Sequence, residues 1–391
     1  MNYSYRSNLW KAYAFKLLIS MHFFSGVLIP FFTQWGGISF AQVMILQSIF
    51  LASVFLLEIP TGTVADRFGR KYSLVLGAIV NVAGVSLYVL YPNFWIFALA
   101  EVVWAASGAL ISGAGEAFVY DTLKELGEEK TSKKIFATMD SYYLVGIMVA
   151  APIGSLLAAK FGLTAPMIVT TIPLFLAFLL GLTFKEPQFA REKESYFETM
   201  KKGVKHLKGH KALQILALDS IVISAVAYYM IWLYQKVLEN LAIDITWFGF
   251  VHAAITIGEL IVLNNYIQME KWLGSKKLVL FISGLIPGIG FLIVGFSQTA
   301  FLSIAAIIIT VAFGFTRQTP LNSYMNKYIK SEQRATTMST ISMARKGMFL
   351  VFNPLIGFAA DISLQNTLIG IGIATTIFAI FSRIEEEHLI D

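Results

Sequence analysis

Four ionisable side chains stand inside long apolar runs of this sequence: Glu101, Asp219, Glu259 and Arg317. Keeping a charge inside hydrocarbon costs at least about 2.5–3.5 kcal/mol, so such a residue normally faces a partner or a water-filled cavity. A carboxyl group whose surroundings alternate between wet and dry can take up and release a proton. These residues are therefore our candidates for proton coupling or for the substrate cavity, and Glu259, which is predicted to lie deepest, is our first choice for the proton-coupling carboxylate of the second bundle.

Two histidines accompany these acids. His252 precedes Glu259 by seven residues and shares its helical face, and His22 lies in the first apolar run. Asp219 and Arg317 carry opposite charges and are predicted to pair across a cavity. Each group has a structural alternative, either as part of an ion pair or as a neutral acid held by hydrogen bonds. The sequence leaves the functional and the structural role open.

The candidates belong to a chain of membrane-length segments. Of its 391 residues, 57% are hydrophobic and 14% are charged, against about 25% charged residues in soluble domains. Twelve apolar runs are each long enough to cross ~30 Å of hydrocarbon, which predicts an all-α polytopic membrane protein. The predicted spans are 9–32, 42–64, 72–91, 94–120, 137–159, 164–184, 211–236, 247–270, 278–296, 299–325, 338–360 and 364–383.

Basic residues mark alternate loops. The stretch GTVADRFGRK (62–71) is predicted to be a short charged hairpin after the second span, and lysine-rich turns follow the fourth, eighth and tenth spans. Because surplus lysine and arginine mark cytoplasmic loops, both termini are predicted to be cytoplasmic. The net charge of +6 is explained by this rule and does not indicate nucleic-acid binding.

The chain divides into two related halves. We predict a six-helix bundle over 1–184, a cytoplasmic linker over 185–210 and a second bundle over 211–391. Within the linker, Tyr196, Phe197, Met200, Val204 and Leu207 recur at helical spacing, which is typical of an amphipathic surface helix or of a solvated linker. FATMDS and RATTMS, each followed by a proline, indicate an internal repeat, and transporters built from such repeats bind substrate between the bundles.

At this point the chain resembles a known family. GTVADRFGRK is similar to the loop signature of the major facilitator superfamily, and EIPTG, SGAGEAFVYD and RATTMS resemble stretches of its bacterial drug/proton antiporter-type members. The resemblance implies the twelve-helix fold of two pseudo-symmetric six-helix bundles. One departure is Trp104, which stands where proton-coupled members commonly carry an arginine.

The resemblance also implies a conformational gate at the cytoplasmic ends of spans two, four and eleven. Glu58 is expected to pair with Arg345 or Lys346, and Arg70 with Glu116 or Asp121. The alternatives are pairs within one bundle and a static staple at the loop. The residues assigned to the gate are Glu58, Gly62, Asp66, Arg67, Gly69, Arg70, Lys71, Glu116, Asp121, Arg345 and Lys346.

Aromatic residues are plentiful and offer a second kind of site. Tyr142 and Trp232 are our favoured candidates for a cavity that binds lipophilic cations by cation–π attraction. Tyr143, Tyr228, Tyr229 and Tyr234 are weaker candidates. The alternative for all of them is a lipid-facing position or a place in the aromatic belts of the membrane.

These patterns favour a secondary active transporter that works by alternating access. The sequence lacks the P-loop lysine motif, metal-ligand spacings and cysteine, so we expect no enzyme activity, cofactor or metal. The preferred function is proton-coupled efflux of a small amphipathic compound by a monomer in the plasma or bacterial inner membrane. The alternatives are uptake of a polar nutrient or metabolite, and a non-transporting receptor or lipid-moving protein.

Overall fold

The computed structural model describes residues 3–188, 207 and 209–390, and within these ranges the chain is helical with no strand. This confirms the predicted fold class. We number the long helices as follows: α1 Tyr3–Ser20, α2 Phe40–Phe68, α3 Arg70–Tyr88, α4 Phe94–Leu126, α5 Ser132–Phe161, α6 Ala165–Leu182, α7 Lys211–Asn240, α8 Phe248–Leu273, α9 Lys276–Phe296, α10 Ala300–Thr316, α11 Ser331–Ile362 and α12 Leu364–Ile380.

Each of these helices overlaps one predicted span, although α1 ends at Ser20 and α10 at Thr316, well before the predicted ends of their spans. Among the described residues, 10 helical segments are long and apolar enough to cross a membrane, and Leu364–Ile380 is a shorter apolar helix. The first segment extends beyond α1 through short irregular turns and reaches Trp35. The hydropathy pattern therefore located the helices well.

The predicted hairpin over Gly62–Lys71 is wrong in extent. Helix α2 continues to Phe68 and α3 begins at Arg70, so that Gly69 alone separates them. Charged residues such as Arg and Lys are good helix formers, and a helix can therefore continue past its apolar run. Gly69 has φ +106°, a conformation that glycine adopts at little cost.

The chain forms two compact units. The first unit comprises Met1–Lys193 with Ile245–Ala253, and the second comprises Glu194–Asp244 with Ala254–Asp391. Most of the predicted linker, including the proposed amphipathic helix, lies outside the described residues.

Aromatic rings fix the core of the first unit. Phe184, just after α6, lies 4.7 Å from Phe118 of α4 and 5.7 Å from Phe15 of α1, measured between ring centroids. Asn8 of α1 binds the adjoining backbone, since its side chain donates to the Lys185 carbonyl and accepts from the Lys185 N–H. The end of α6 is thereby held against α1 and α4.

Helix α5 approaches the first membrane segment through glycines. A Cβ added at Gly154 would lie 1.6 Å from the carbonyl oxygen of Phe23, and one at Gly146 would lie 2.0 Å from Oγ of Ser20. Small residues allow helix backbones to approach closely, which stabilises helix packing in membranes.

We expect Gly154→Ala to lower the free energy of unfolding by about 1–3 kcal/mol, because the added methyl group must push the two segments apart. Thermal unfolding of the purified protein in detergent measures this loss. Gly108→Ala in α4 is the matched control, since a Cβ there meets nothing within 4 Å. Equal stability of the two variants would contradict the proposed close contact.

Candidate functional site

A buried carboxyl group lies between α2 and α4 in the first unit. Glu101 is 1% exposed and accepts a hydrogen bond from Nε2 of Gln47, at 3.1 Å. Tyr88 is its second polar neighbour. Among the described residues no cation forms an ion pair with Glu101, so this acid lies in surroundings that favour a neutral form.

His22 lies in an aromatic cluster beside this acid. Its ring stacks on Phe24 with 5.2 Å between centroids and meets the edge of Trp104 at 5.7 Å. Trp104 follows Glu101 by one turn of α4 and also contacts Phe50. The tryptophan at the place of the expected arginine thus packs against His22.

Asp219 and Arg317 form a direct ion pair inside the second unit. The side chains are 5% and 1% exposed, and Oγ of Ser382 donates a hydrogen bond to the second carboxylate oxygen of Asp219, at 3.2 Å. Gly284 of α9 makes room for the guanidinium group, because an added Cβ would lie 2.4 Å from its nitrogen. The pair therefore joins α7, α9 and the ends of α10 and α12.

This ion pair also lines a cavity of about 350 Å³. The cavity walls come from the first turns of α9, including Lys277 and Phe281, and from the end of α12. All lining residues belong to the second unit.

Glu259 and His252 fall in different units. Glu259 of α8 is half-buried and forms no hydrogen bond or ion pair with the described residues. His252 belongs to the part of α8 that is grouped with the first unit. Their joint role in proton transfer stays a prediction.

The signature stretch is tied to α4 by Arg70. Its guanidinium group donates to Asp66 at 3.1 Å, and its Nε lies 3.9 Å from Asp121. Of the two acids expected to meet Arg70, the structure thus brings Asp121 to it, whereas Glu116 lines a cavity with Lys16.

The other gate residues differ in what they contact. The guanidinium group of Arg67 lies 5.6 Å from the ring of Phe68, and Gly62 has open space around its Cα. Glu58 belongs to the first unit, whereas Arg345 and Lys346 belong to the second. The pairing expected between them stays a prediction.

Glu186 is a site residue that sequence reasoning missed. It follows α6 and accepts hydrogen bonds from the backbone N–H groups of Arg70, at 2.7 Å, and Lys71, at 2.8 Å. Such a carboxylate satisfies free N–H groups at the start of α3 and complements the helix dipole. A Cβ on Gly69 would lie 2.8 Å from the Glu186 carboxyl carbon, which explains the glycine of the signature.

Glu386 repeats this arrangement in the second unit. It accepts from the backbone N–H groups of Lys276, at 2.9 Å, and Lys277, at 3.0 Å, and from Oγ of Ser275, at 2.7 Å. An acid just after the last helix of each half, with a basic turn before its third helix, is the sequence signal that identifies both caps.

The pKa values of the two caps are shifted in opposite directions. Burial raises the pKa of Glu186 above its ordinary value, although the backbone hydrogen bonds from Lys71 and Arg70 act against this. Burial also acts to raise the pKa of Glu386, but hydrogen bonds from Ser275, Lys277 and Lys276 outweigh it and lower this pKa.

Because the pKa values of Glu186 and Glu386 shift in opposite directions, the stabilisation by the two caps should depend on pH in opposite ways. Stabilisation by Glu386 is present above the unfolded-state pKa of about 4.3 and is lost as the pH falls, so Glu386→Gln should lower the melting temperature more at neutral than at acid pH. The Glu186 contribution is largest at acid pH and declines as the pH rises, so Glu186→Gln should show the reverse trend. Melting temperatures of both variants, measured from acid to neutral pH, test the direction of each effect. The same trend with pH in both variants would contradict the opposite pKa shifts of Glu186 and Glu386.

The aromatic candidates form two clusters. In the first unit, Tyr142 stacks on Tyr13 with 5.4 Å between ring centroids. In the second, Tyr228 stacks on Phe349 at 4.1 Å and lies 6.1 Å from Trp232.

Tyr234 is fully buried and accepts a hydrogen bond from Gln235, and its part in an aromatic cavity stays a prediction. Within the described part of the chain, no cluster of three or more His, Asp or Glu residues could hold a metal ion.

Comparison with known proteins identifies the relationships of the whole chain. The model of the Major Facilitator Superfamily matches residues 15–352. The uncharacterized MFS-type transporter YxaM of Bacillus subtilis (strain 168) is 21% identical, with 84% of this chain and 83% of the relative covered. The multidrug resistance protein MdtG of Enterobacter lignolyticus (strain SCF1) is 22% identical, with 90% and 81% covered.

A solved structure shows the same fold. The crystal structure of the nucleoside transporter NupG superimposes with a TM-score of 0.79 at 14% identity, with 97% of this chain and 98% of the other covered. At this identity the similarity establishes the architecture and not the substrate.

Proposed function

The chain belongs to the major facilitator superfamily and is a multi-pass membrane transporter, not an enzyme, and we propose that it exports a small amphipathic compound in exchange for protons. Relatives named multidrug resistance proteins support the export of such a compound. The observation that supports proton coupling is Glu101, a fully buried acid whose polar contacts among the described residues are with uncharged side chains.

Glu101 is suited to carry the coupled proton. Burying a carboxylate without a cation is costly, whereas burying the protonated acid is not. Deprotonation therefore favours a conformation in which water reaches the group, and reprotonation favours one in which it is dry. A single proton can in this way bias an alternating-access cycle.

The remaining candidates take supporting roles in this proposal. Glu259 and His252 are second candidates for proton transfer, and His22 lines the substrate path next to Trp104. Asp219 and Arg317 hold the second bundle together. The Arg70 cluster with Asp66 and Asp121 forms part of the cytoplasmic latch, a contact that opens and closes with the transport cycle.

We assign the protein to the plasma or bacterial inner membrane, as a monomer with both termini in the cytoplasm. The orientation follows from the lysines and arginines that concentrate in alternate loops. The substrate and the coupled proton are the only ligands that this proposal requires.

Reconstitution into liposomes tests the function. A pH gradient of either direction is imposed across vesicles that contain the purified protein, and the flux of a panel of lipophilic cations and amphipathic drugs is followed. We expect a member of the panel to move against the direction of proton flow. Movement with the protons would instead establish uptake by symport, and absence of proton-dependent flux for the whole panel would contradict the proposal.

Uptake of a polar metabolite is the second candidate function. Charges of both signs line the cavity that contains Lys16 and Glu116, which suits a polar substrate as well as a drug. The sign of the flux in the same vesicles separates the two functions.

A further inference from the structure

Two opposite charges line one small cavity of the first unit. Lys16 of α1 and Glu116 of α4 both face a space of about 140 Å³. The other walls are mainly apolar and include Phe15, Phe118 and Met139. Glu116 and its neighbours Ser112 and Gly115 belong to the stretch SGAGEAFVYD. This stretch therefore forms part of the cavity wall.

Neither charge is neutralised by a counter-ion within the described ranges. The two side chains share a cavity but form no ion pair, and each forms no hydrogen bond with a described residue. Nζ of Lys16 instead lies 5.2 Å from the centroid of the Tyr143 ring. An ionisable residue inside a membrane span normally faces a partner or a water-filled cavity, and here the cavity presents both charges to any molecule that enters it.

Exposed aromatic rings lie next to the cavity. Tyr142 and Tyr143 follow the lining residue Met139 by about one turn of α5 and are 40% and 36% exposed. The ring of Tyr142 is nearly parallel to that of Tyr13, with an interplanar angle of 8°. An aromatic group of a ligand can stack on such a surface.

We propose that this site binds the substrate as an aromatic zwitterion, an inference that rests on the transport function proposed above. The acidic group of the ligand pairs with Lys16, and its ammonium group pairs with Glu116. A pure anion would leave Glu116 without a partner, and a pure cation would leave Lys16 without one. Only a dipolar group satisfies both charges in one cavity.

The size of the cavity fits this assignment. Liquid water occupies about 30 Å³ per molecule, so 140 Å³ holds a few waters or one group the size of an amino-acid backbone. A larger apolar body must remain outside, where Tyr142 offers its ring. Recognition is thereby divided between a charged pocket and an aromatic surface.

Three matched probes separate the two charges: phenylalanine, N-acetylphenylalanine and 2-phenylethylamine, which are a zwitterion, an anion and a cation at neutral pH. Binding to the purified protein is measured by titration calorimetry for the native chain, Lys16→Gln and Glu116→Gln. Because each variant removes a hydrogen bond between the ligand and a charged group, each should bind phenylalanine about tenfold or more weakly.

The other probes should respond to one variant each. Binding of the anion should weaken in Lys16→Gln and not in Glu116→Gln, and binding of the cation should show the reverse. Lys124→Gln, which changes an exposed lysine at the end of α4, is the control and should leave all three unchanged. Melting temperatures of the variants establish that they are folded.

Two results overturn the inference: failure of phenylalanine to bind the native chain, and equal affinity in the native chain and both variants. Neither result touches the transport function, because proton-dependent flux of the drug panel is measured separately in liposomes. Loss of that flux with intact zwitterion binding would instead remove the transport proposal and leave the binding site.

Discussion

Replacing Arg317 with methionine is expected to destabilise the second unit by about 3–5 kcal/mol, because the change leaves the buried carboxylate of Asp219 without its partner. Arg317 is the bulkiest of the fully buried side chains in the described part of the chain. Ser382 alone would then remain to bind Asp219. Thermal unfolding of the purified protein in detergent measures the loss.

A double variant separates the charge from the packing. Replacing Asp219 with leucine in the Arg317→Met background removes both charges and should recover most of the lost stability, as found generally when buried ion pairs become apolar. The control is Lys236→Gln, which breaks the more exposed pair with Asp361 and should change stability by less than about 1 kcal/mol. A single variant as stable as the native chain would show that the ion pair contributes nothing.

Glu101→Gln is expected to abolish proton-driven accumulation of substrate while leaving substrate exchange intact. The amide has the shape of the acid and can keep a hydrogen bond with Gln47, so the fold should persist. It cannot release a proton, so the conformational cycle is no longer linked to the pH gradient. Accumulation and counterflow are measured in the same liposomes.

The control for this prediction is Asp140→Asn, which neutralises an exposed acid of α5. It should retain both activities. If Glu101→Gln still accumulated substrate in proportion to the pH gradient, another acid would carry the proton, and Glu259 would be the next candidate. If counterflow were lost as well, Glu101 would act in substrate binding or folding.

The helices could be predicted from the sequence because hydrocarbon imposes one simple requirement on each of them. A run of about 20 apolar residues is needed wherever the chain crosses, and this requirement is local. The ion pair of Arg70 with Asp66 is local too, since it joins the last turn of α2 to the first residue of α3 across only four positions. The turn at Gly69 is shorter than the predicted hairpin, because charged side chains are compatible with a helix as well as with a loop.

Contacts between distant segments could not be predicted in the same way. Glu186 reaches the start of α3 from more than a hundred positions away, and the contact can be recognised in the sequence only by comparing the two halves, where Glu386 repeats it. Lys16 lies within the first predicted span and has no acidic residue near it in the sequence. Its importance becomes visible only when α4 places Glu116 on the same cavity.

The internal repeat was informative about architecture and less so about chemistry. The end of α6 is held by Phe15, Phe118 and Phe184, whereas the end of α12 is held by Asp219, Arg317 and Ser382. The same three places in each half thus carry an apolar cluster in one unit and a buried ion pair in the other. The helices must pack against one another in both halves, but different combinations of side chains meet this requirement.

Proton movement caused by the substrate tests the central claim most directly. Liposomes that contain the native protein and a pH-sensitive dye are prepared without a pH gradient, and a transported compound is added on one side. Exchange of substrate for protons predicts a pH change in the lumen that follows the compound gradient and is absent in Glu101→Gln. Substrate flux without any pH change would contradict proton coupling.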